Sequence, residues 1–276
     1  MMNRTQLQPL TIDDIARRAP SALATRPFHA VSSRYTYIPT VDVIEGMAKA
    51  GFKPFYATQS RTRIEGKSEF TKHMIRFRAD LGAMTVGDSL AEVVLVNSHD
   101  GTSTYKLLAG IFRLVCSNGM VVSEGQQESI SVRHSGDVIQ EVVEGSNRIM
   151  ERTPKTLDAI RTWGQLRLTG GEQQVLAEAA RVVRFGDSEG KVETPITADR
   201  LLQARRYSDN GDDLWKTFNR VQENVVRGGV SAMGKDSQGR RRRSTTKEVK
   251  GIDQDVRLNR ALWQLAERMA ELKLAN

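Results

Sequence analysis

Two sets of cations are the residues in this chain best placed to do chemistry. Lys72, Arg76 and Arg78 recur at even positions of residues 72–79, an alternating stretch that reads as a strand. Side chains alternate across a strand, so these three share one face with Met74, while His73, Ile75, Phe77 and Ala79 take the other. The apolar set is expected to bury. The cations are then expected to stand exposed at intervals of about 7 Å, a spacing suited to successive phosphates of an extended single strand. Lys53, Arg61 and Arg63 add charge from the preceding strand, and Phe55, Tyr56, Tyr35 and Tyr37 are aromatics on which bases could stack. The second set is Arg240, Arg241, Arg242 and Arg243. Four consecutive arginines beside glycine and serine cannot all pack, so they are solvated or neutralised by a ligand, and their planar forks suit phosphate.

Other reactive chemistry has little to stand on. Cys116, in FRLVCSNG, is flanked by apolar residues and has no histidine nearby in sequence to activate it, so it reads as a small buried hydrophobe. The histidines His29, His73, His99 and His134 are scattered singly, without the spacing that metal ligation favours. Asp13-Asp14 and Asp212-Asp213 sit where helices should start, which explains them as caps. Neither a phosphate-binding P-loop nor a dinucleotide-binding glycine pattern occurs. The expectation is a protein with no catalytic residue, no metal and no cofactor.

The distribution of charge supports a polyanionic partner. The 276 residues carry a net charge of +8. Residues 53–78 hold seven basic residues against two acidic, and residues 227–250 hold eight against two. The excess is thus concentrated in two windows, whereas a surface basic only for solubility would intersperse both signs. The competing reading is two solvated charge runs that bind nothing. No run approaches the roughly 18 apolar residues of a membrane span. The opening residues, MMNRTQLQPLTIDDIARR, lack the apolar core of a secretory signal, so a cytoplasmic protein is expected.

The elements that must position these residues divide the chain in two. Residues 1–30, with three prolines and a short helix at 11–18, read as an arm. Residues 33–38 read as a strand, and Thr40 as the cap of a helix over 41–50 that Gly51 ends. Strands are expected at 55–63, 72–79, 90–97, the centre of 104–116 and 128–134, with turns at 99–102 and 117–119. A long helix follows at 138–163, which Pro154 should kink. Further helices are expected at 172–184, with Val175, Leu176, Ala179, Val182 and Val183 on one face, at 213–227 after Asp212 as cap, and at 253–272. The fold class is therefore α+β: a β-rich amino-terminal half, antiparallel or mixed, then a helical half. The expected segments are an arm (1–30), a β-rich core (31–136), a helical part packed on the sheet (137–227), a flexible basic loop (228–250) and a terminal helix (251–276). The loop, GGVSAMGKDSQGRRRRS, has too little apolar content to offset its ordering entropy.

Four stretches, RYTYIPTVDVI at 34–44, IFRLVCSNGM at 111–120, LWKTFNRVQENVVRGG at 214–229 and VKGIDQDVRLNRALW at 249–263, together resemble the family known as domain of unknown function 932. The resemblance implies an origin in phages or other mobile elements and a bacterial cytoplasm, and supplies no activity or site residue. A sheet followed by a long helix is also the gross plan of single-strand annealing proteins. The functional expectation is a DNA-binding protein of a mobile element, favouring single strands, acting in replication or recombination as a homo-oligomeric ring or filament. The alternative is a host-takeover or anti-defence factor whose basic patch binds an acidic protein.

Overall fold

The computed structural model describes residues 8–31, 35–79, 84–114, 118–122, 129–132, 137–186, 196–235 and 238–275. The chain divides into two compact units, Met1–Leu157 and Asp158–Asn276. The expected segments at 1–30 and 31–136, with the start of the long helix, thus make one unit, and the remainder makes the other.

In the first unit, Thr11 caps helix α1 (Ile12–Arg18) through a reciprocal capping box with Asp14. A 3-10 turn at Pro20–Leu23 follows. This stretch is not an arm, because Leu10, Ile15, Ala19 and Ala22 are buried in the core. Helix α2 (Thr40–Lys49) starts one residue earlier than expected, with Pro39 at its cap, and Gly51 (φ 86°) follows it. Residues 35–38 form no strand, and residues 33 and 34 lie outside the described residues.

The sheet is antiparallel throughout: β1 (Phe52–Gln59), β2 (His73–Ala79), β3 (Thr85–Val86), β4 (Ser89–Asn97), β5 (Tyr105–Arg113), β6 (Asn118–Val121) and β7 (Ile130–Val132). The order is β1-β2-β4-β5, with β6 and β7 on β5 and β3 on β4. Each strand thus pairs with a near neighbour in sequence, as hairpin-linked strands do. Strand β6 occupies residues that read as a turn, because Asn-Gly carries turn chemistry and only pairing with β5 reveals a strand. One sheet face, with Ile75, Phe77, Val93, Leu95 and Leu107, packs in a core with Ile15 of α1, Val43, Ile44 and Met47 of α2, and Val138 and Val142 of α3 (Val138–Trp163). The other face is buried too, and β2 is buried at six of its seven positions. Helix α3 runs through Pro154 without ending there, and the unit boundary falls within it.

The second unit holds α4 (Gly170–Phe185), α5 (Ala198–Leu201), α6 (Leu214–Arg227), the ribbon β8 (Ser231–Lys235) and β9 (Arg241–Thr245), and α7 (Ile252–Ala275). Trp163 packs tilted against Trp263 with ring centroids 4.5 Å apart, and Trp215 and Phe218 of α6 complete the aromatic core. Helix α4 buries Leu176, Ala177 and Ala180 and leaves Val175, Val182 and Val183 exposed, so its inward face is rotated from the one its valines mark. Asp213, rather than Asp212, caps α6. Among the described residues, no helix is long and apolar enough to cross a membrane.

Candidate nucleic-acid interface

The parity read from β2 holds, but the exposure does not. Arg76 and Arg78 share a face, yet they are only 4% and 8% exposed. β2 lies between β1 and β4, and β4 presents Glu92 on that same face. Arg78 Nε donates to Glu92 Oε1 at 2.9 Å, and an Arg76 terminal nitrogen donates to Glu92 Oε2 at 3.3 Å. Arg76 also donates to the carbonyls of Gly119 and Met120, each at 3.3 Å. Its guanidinium lies so close to Gly119 that a Cβ there would approach Arg76 Cζ to 2.8 Å. Arg78 is sandwiched between Phe55 and Phe112, 4.3 and 4.2 Å from their centroids, and Arg76 lies 6.0 Å from Tyr56. Two aromatics read as base-stacking platforms thus cover arginines instead.

The remaining cations of this window do not converge. Lys53 sits opposite Arg78 at one end of the β1–β2 ribbon, and Lys72 is half-buried at the other end, just before β2. Arg61 and Arg63 are in the loop after β1, Arg61 exposed and Arg63 also open to solvent. Tyr35 and Tyr37 donate their hydroxyls to the backbone oxygens of Ser98 and Ala24. The expected basic strand face is therefore a buried ion cluster, and the physical reason is the cross-strand carboxylate.

Two of the four histidines, His73 and His99, come together. His73 of β2 and His99, just beyond β4, bring their Nε2 atoms to 3.0 and 3.1 Å from the Thr40 hydroxyl of α2. Asn97 donates to the same oxygen at 3.2 Å, and the Tyr105 hydroxyl lies 3.1 Å away while donating to the Ile38 carbonyl. All five side chains are fully buried, so this cluster clamps α2 onto β2, β4 and β5. Burial, and then the neighbouring His99, push the His73 pKa down to about 3. Thr40 uses its hydroxyl here and not as a helix cap. Among the described residues, no three potential metal ligands gather. Cys116 and His134 lie outside the described residues.

In the second unit the basic segment is ordered as a hairpin and is not an irregular loop. β8 and β9 pair from Ser231↔Thr245 to Lys235↔Arg241. Arg241, Arg242 and Arg243 are exposed along β9, with side chains alternating across the ribbon, and Arg240 precedes them, also exposed. Among the described residues, the side chains of Arg241, Arg242 and Arg243 make no ion pair or hydrogen bond. The foot of the ribbon is set by Gly228 (φ 65°), where a Cβ would also lie 2.5 Å from the Lys247 carbonyl carbon, so only glycine fits.

The ribbon grows from α6, which is buried around nearly its whole circumference, polar residues included. Glu223 forms an ion pair with Arg206, and Gln222 donates to Asn259 at 2.7 Å. Arg220 donates to the Gly211 carbonyl and to Gln173. Asn224 uses both amide hydrogens on the carbonyls of Leu201 and Gln203, which turns its oxygen toward Arg205 Nε at 2.7 Å. Arg205 also donates to the Gly228 carbonyl.

The family described as Domain of unknown function (DUF932) matches residues 27–263. The chain belongs to this family. Two relatives, the UPF0380 proteins YafZ and YfjQ of Escherichia coli (strain K12), are each 42% identical over 265 residues, covering 95% of this chain and 92% of the relative. No solved structure matches. The DUF932 match takes in the Glu92 cluster, all of α6 and the whole ribbon. Sequence reasoning missed Glu92, Arg205 and Asn224. A lone Glu in AEVVLV carries no signal until the register is known, and nothing in the sequence around Asn224 marks it as buried.

Proposed function

We propose that this chain binds nucleic acid, with the ribbon β8–β9 as its phosphate-binding element. The observation that carries the reading is the run Arg241–Arg243, exposed on a two-stranded ribbon with no carboxylate bonded to it among the described residues. Guanidinium groups held on such a scaffold match phosphate oxygens in geometry and charge. A two-stranded ribbon is also an element that enters a nucleic-acid groove. The finer expectation, strand annealing along an extended basic sheet face, loses its support because Arg76 and Arg78 are buried and share Glu92.

The test is fluorescence anisotropy of labelled single-stranded DNA, duplex DNA and RNA over a series of salt concentrations. Arg241→Gln with Arg242→Gln should weaken binding and flatten the salt slope by about 0.7 to 0.9 for each phosphate that is no longer neutralised. Wild-type affinity and slope in that variant would overturn the reading. Equal affinity of the native protein for polyglutamate would favour an acidic protein partner instead.

A further inference from the structure

A concavity of ≈ 540 Å³ opens at the foot of the ribbon, lined by Arg200, Arg205, Asn224, Val230, Met233 and Arg243 among others. Its volume is that of a small-ligand site. Among the described residues, three that line it are arginines and none is a carboxylate. Among the described residues, Arg200 and Arg243 make no side-chain bond, so two guanidiniums at this concavity have all their donors available. The third is fixed. Arg205 is held by Asn224 and by the Gly228 carbonyl, and Asn224 is itself pinned by two backbone carbonyls. A guanidinium held this way needs little ordering when an anion arrives. Burial presses on its charge, Glu223, already paired with Arg206, acts in its favour, and Arg206 and Arg227 oppose it.

We infer that this concavity holds the phosphomonoester of a nucleotide, either at a strand end or on a free nucleotide. The inference rests on the nucleic-acid reading only for the strand-end source. A phosphomonoester brings close to two negative charges near neutral pH and three terminal oxygens, which three guanidiniums can share. A phosphodiester within a strand brings one charge and two such oxygens. Among the described residues no aromatic lines the cavity, so the phosphate, and not a stacked base, is the group recognised.

The experiment compares one oligonucleotide carrying a 5′-phosphate, the same oligonucleotide with a 5′-hydroxyl, and adenosine 5′-monophosphate, all at one ionic strength. The phosphorylated strand should bind the native protein about tenfold more tightly than the hydroxyl-ended one, the order of one charge-assisted hydrogen bond. Arg200→Gln, which removes no bond within the fold, and Arg205→Gln should each bring that ratio close to one. The Arg241→Gln, Arg242→Gln variant should weaken both strands and keep the ratio. A ratio of one in the native protein, with no Arg200-dependent heat on titrating adenosine 5′-monophosphate, overturns the inference and leaves the ribbon reading standing. A ratio that survives both cavity variants also overturns it, since the phosphate is then held elsewhere. Arg200-dependent binding of adenosine 5′-monophosphate without oligonucleotide binding upholds the cavity, assigns it to a free nucleotide, and sinks the ribbon reading.

Discussion

Strands β2 and β9 both place arginines at alternate positions, and they put them to opposite uses. On β2, Arg76 and Arg78 lie in the interior of a sheet, share Glu92, and are covered by Phe55, Phe112 and Tyr56. On β9, Arg241 and Arg243 belong to a two-stranded ribbon whose β9 residues are all exposed. The residue type is the same and so is the periodicity. What differs is the number of neighbouring strands and whether one of them offers a carboxylate. A charged stripe on a strand is therefore a binding surface only where the sheet has left it unpartnered.

The contrast can be broken hardest at Glu92. Glu92→Gln leaves two guanidiniums buried without their counter-charge, and should cost about 3–5 kcal/mol in urea unfolding. A loss under about 1 kcal/mol would mean that the cluster is solvated and that β2 and β9 are alike. Next in size is Gly119→Ala, which drives a methyl against the Arg76 guanidinium and should cost about 1–3 kcal/mol. Gly170→Ala, where a methyl meets nothing within 4 Å, is the control and should be close to neutral.

Acid separates the two regions by another route. Folded His73 has a pKa depressed to about 3 from an ordinary 6.5, so between these values the unfolded chain binds the proton and the folded chain does not. Its contribution is present in full above pH 6.5 and is lost as pH falls toward 3, by up to about 1.4 kcal/mol per pH unit. His73→Gln should remove that part of the slope in pH-dependent denaturation curves. Nucleic-acid binding through the ribbon should not share that slope, and anisotropy measured between about pH 6 and 8 checks it.

The smallest effect is expected on the ribbon itself. Replacing Arg241, Arg242 and Arg243 together with glutamine should change folding stability by less than about 0.5 kcal/mol, because exposed side chains without partners hold nothing in place. A large shift in the unfolding midpoint would show that these arginines are structural, as Arg76 and Arg78 are.

The α+β plan, the longer helices and the glycine stop of α6 are legible by themselves, since each rests on local periodicity or on a terminating residue, whereas antiparallel and mixed pairing both stay open until the register is known. Helix α3 spans the expected residues, and the parity of Arg76 and Arg78 is as read. Legibility fails wherever the deciding partner is distant in sequence. Arg76 is 16 residues from Glu92 and 43 from Gly119, and His73 and Tyr105 meet at Thr40. The segment at 228–244 reads as too polar to order, but a ribbon is held by backbone hydrogen bonds that composition does not record. The sequence by itself determined the α+β plan, the longer helices and the parity of the side chains on β2. Only the tertiary structure decided which faces stay open to water, because burial and counter-charge come from residues brought alongside by folding.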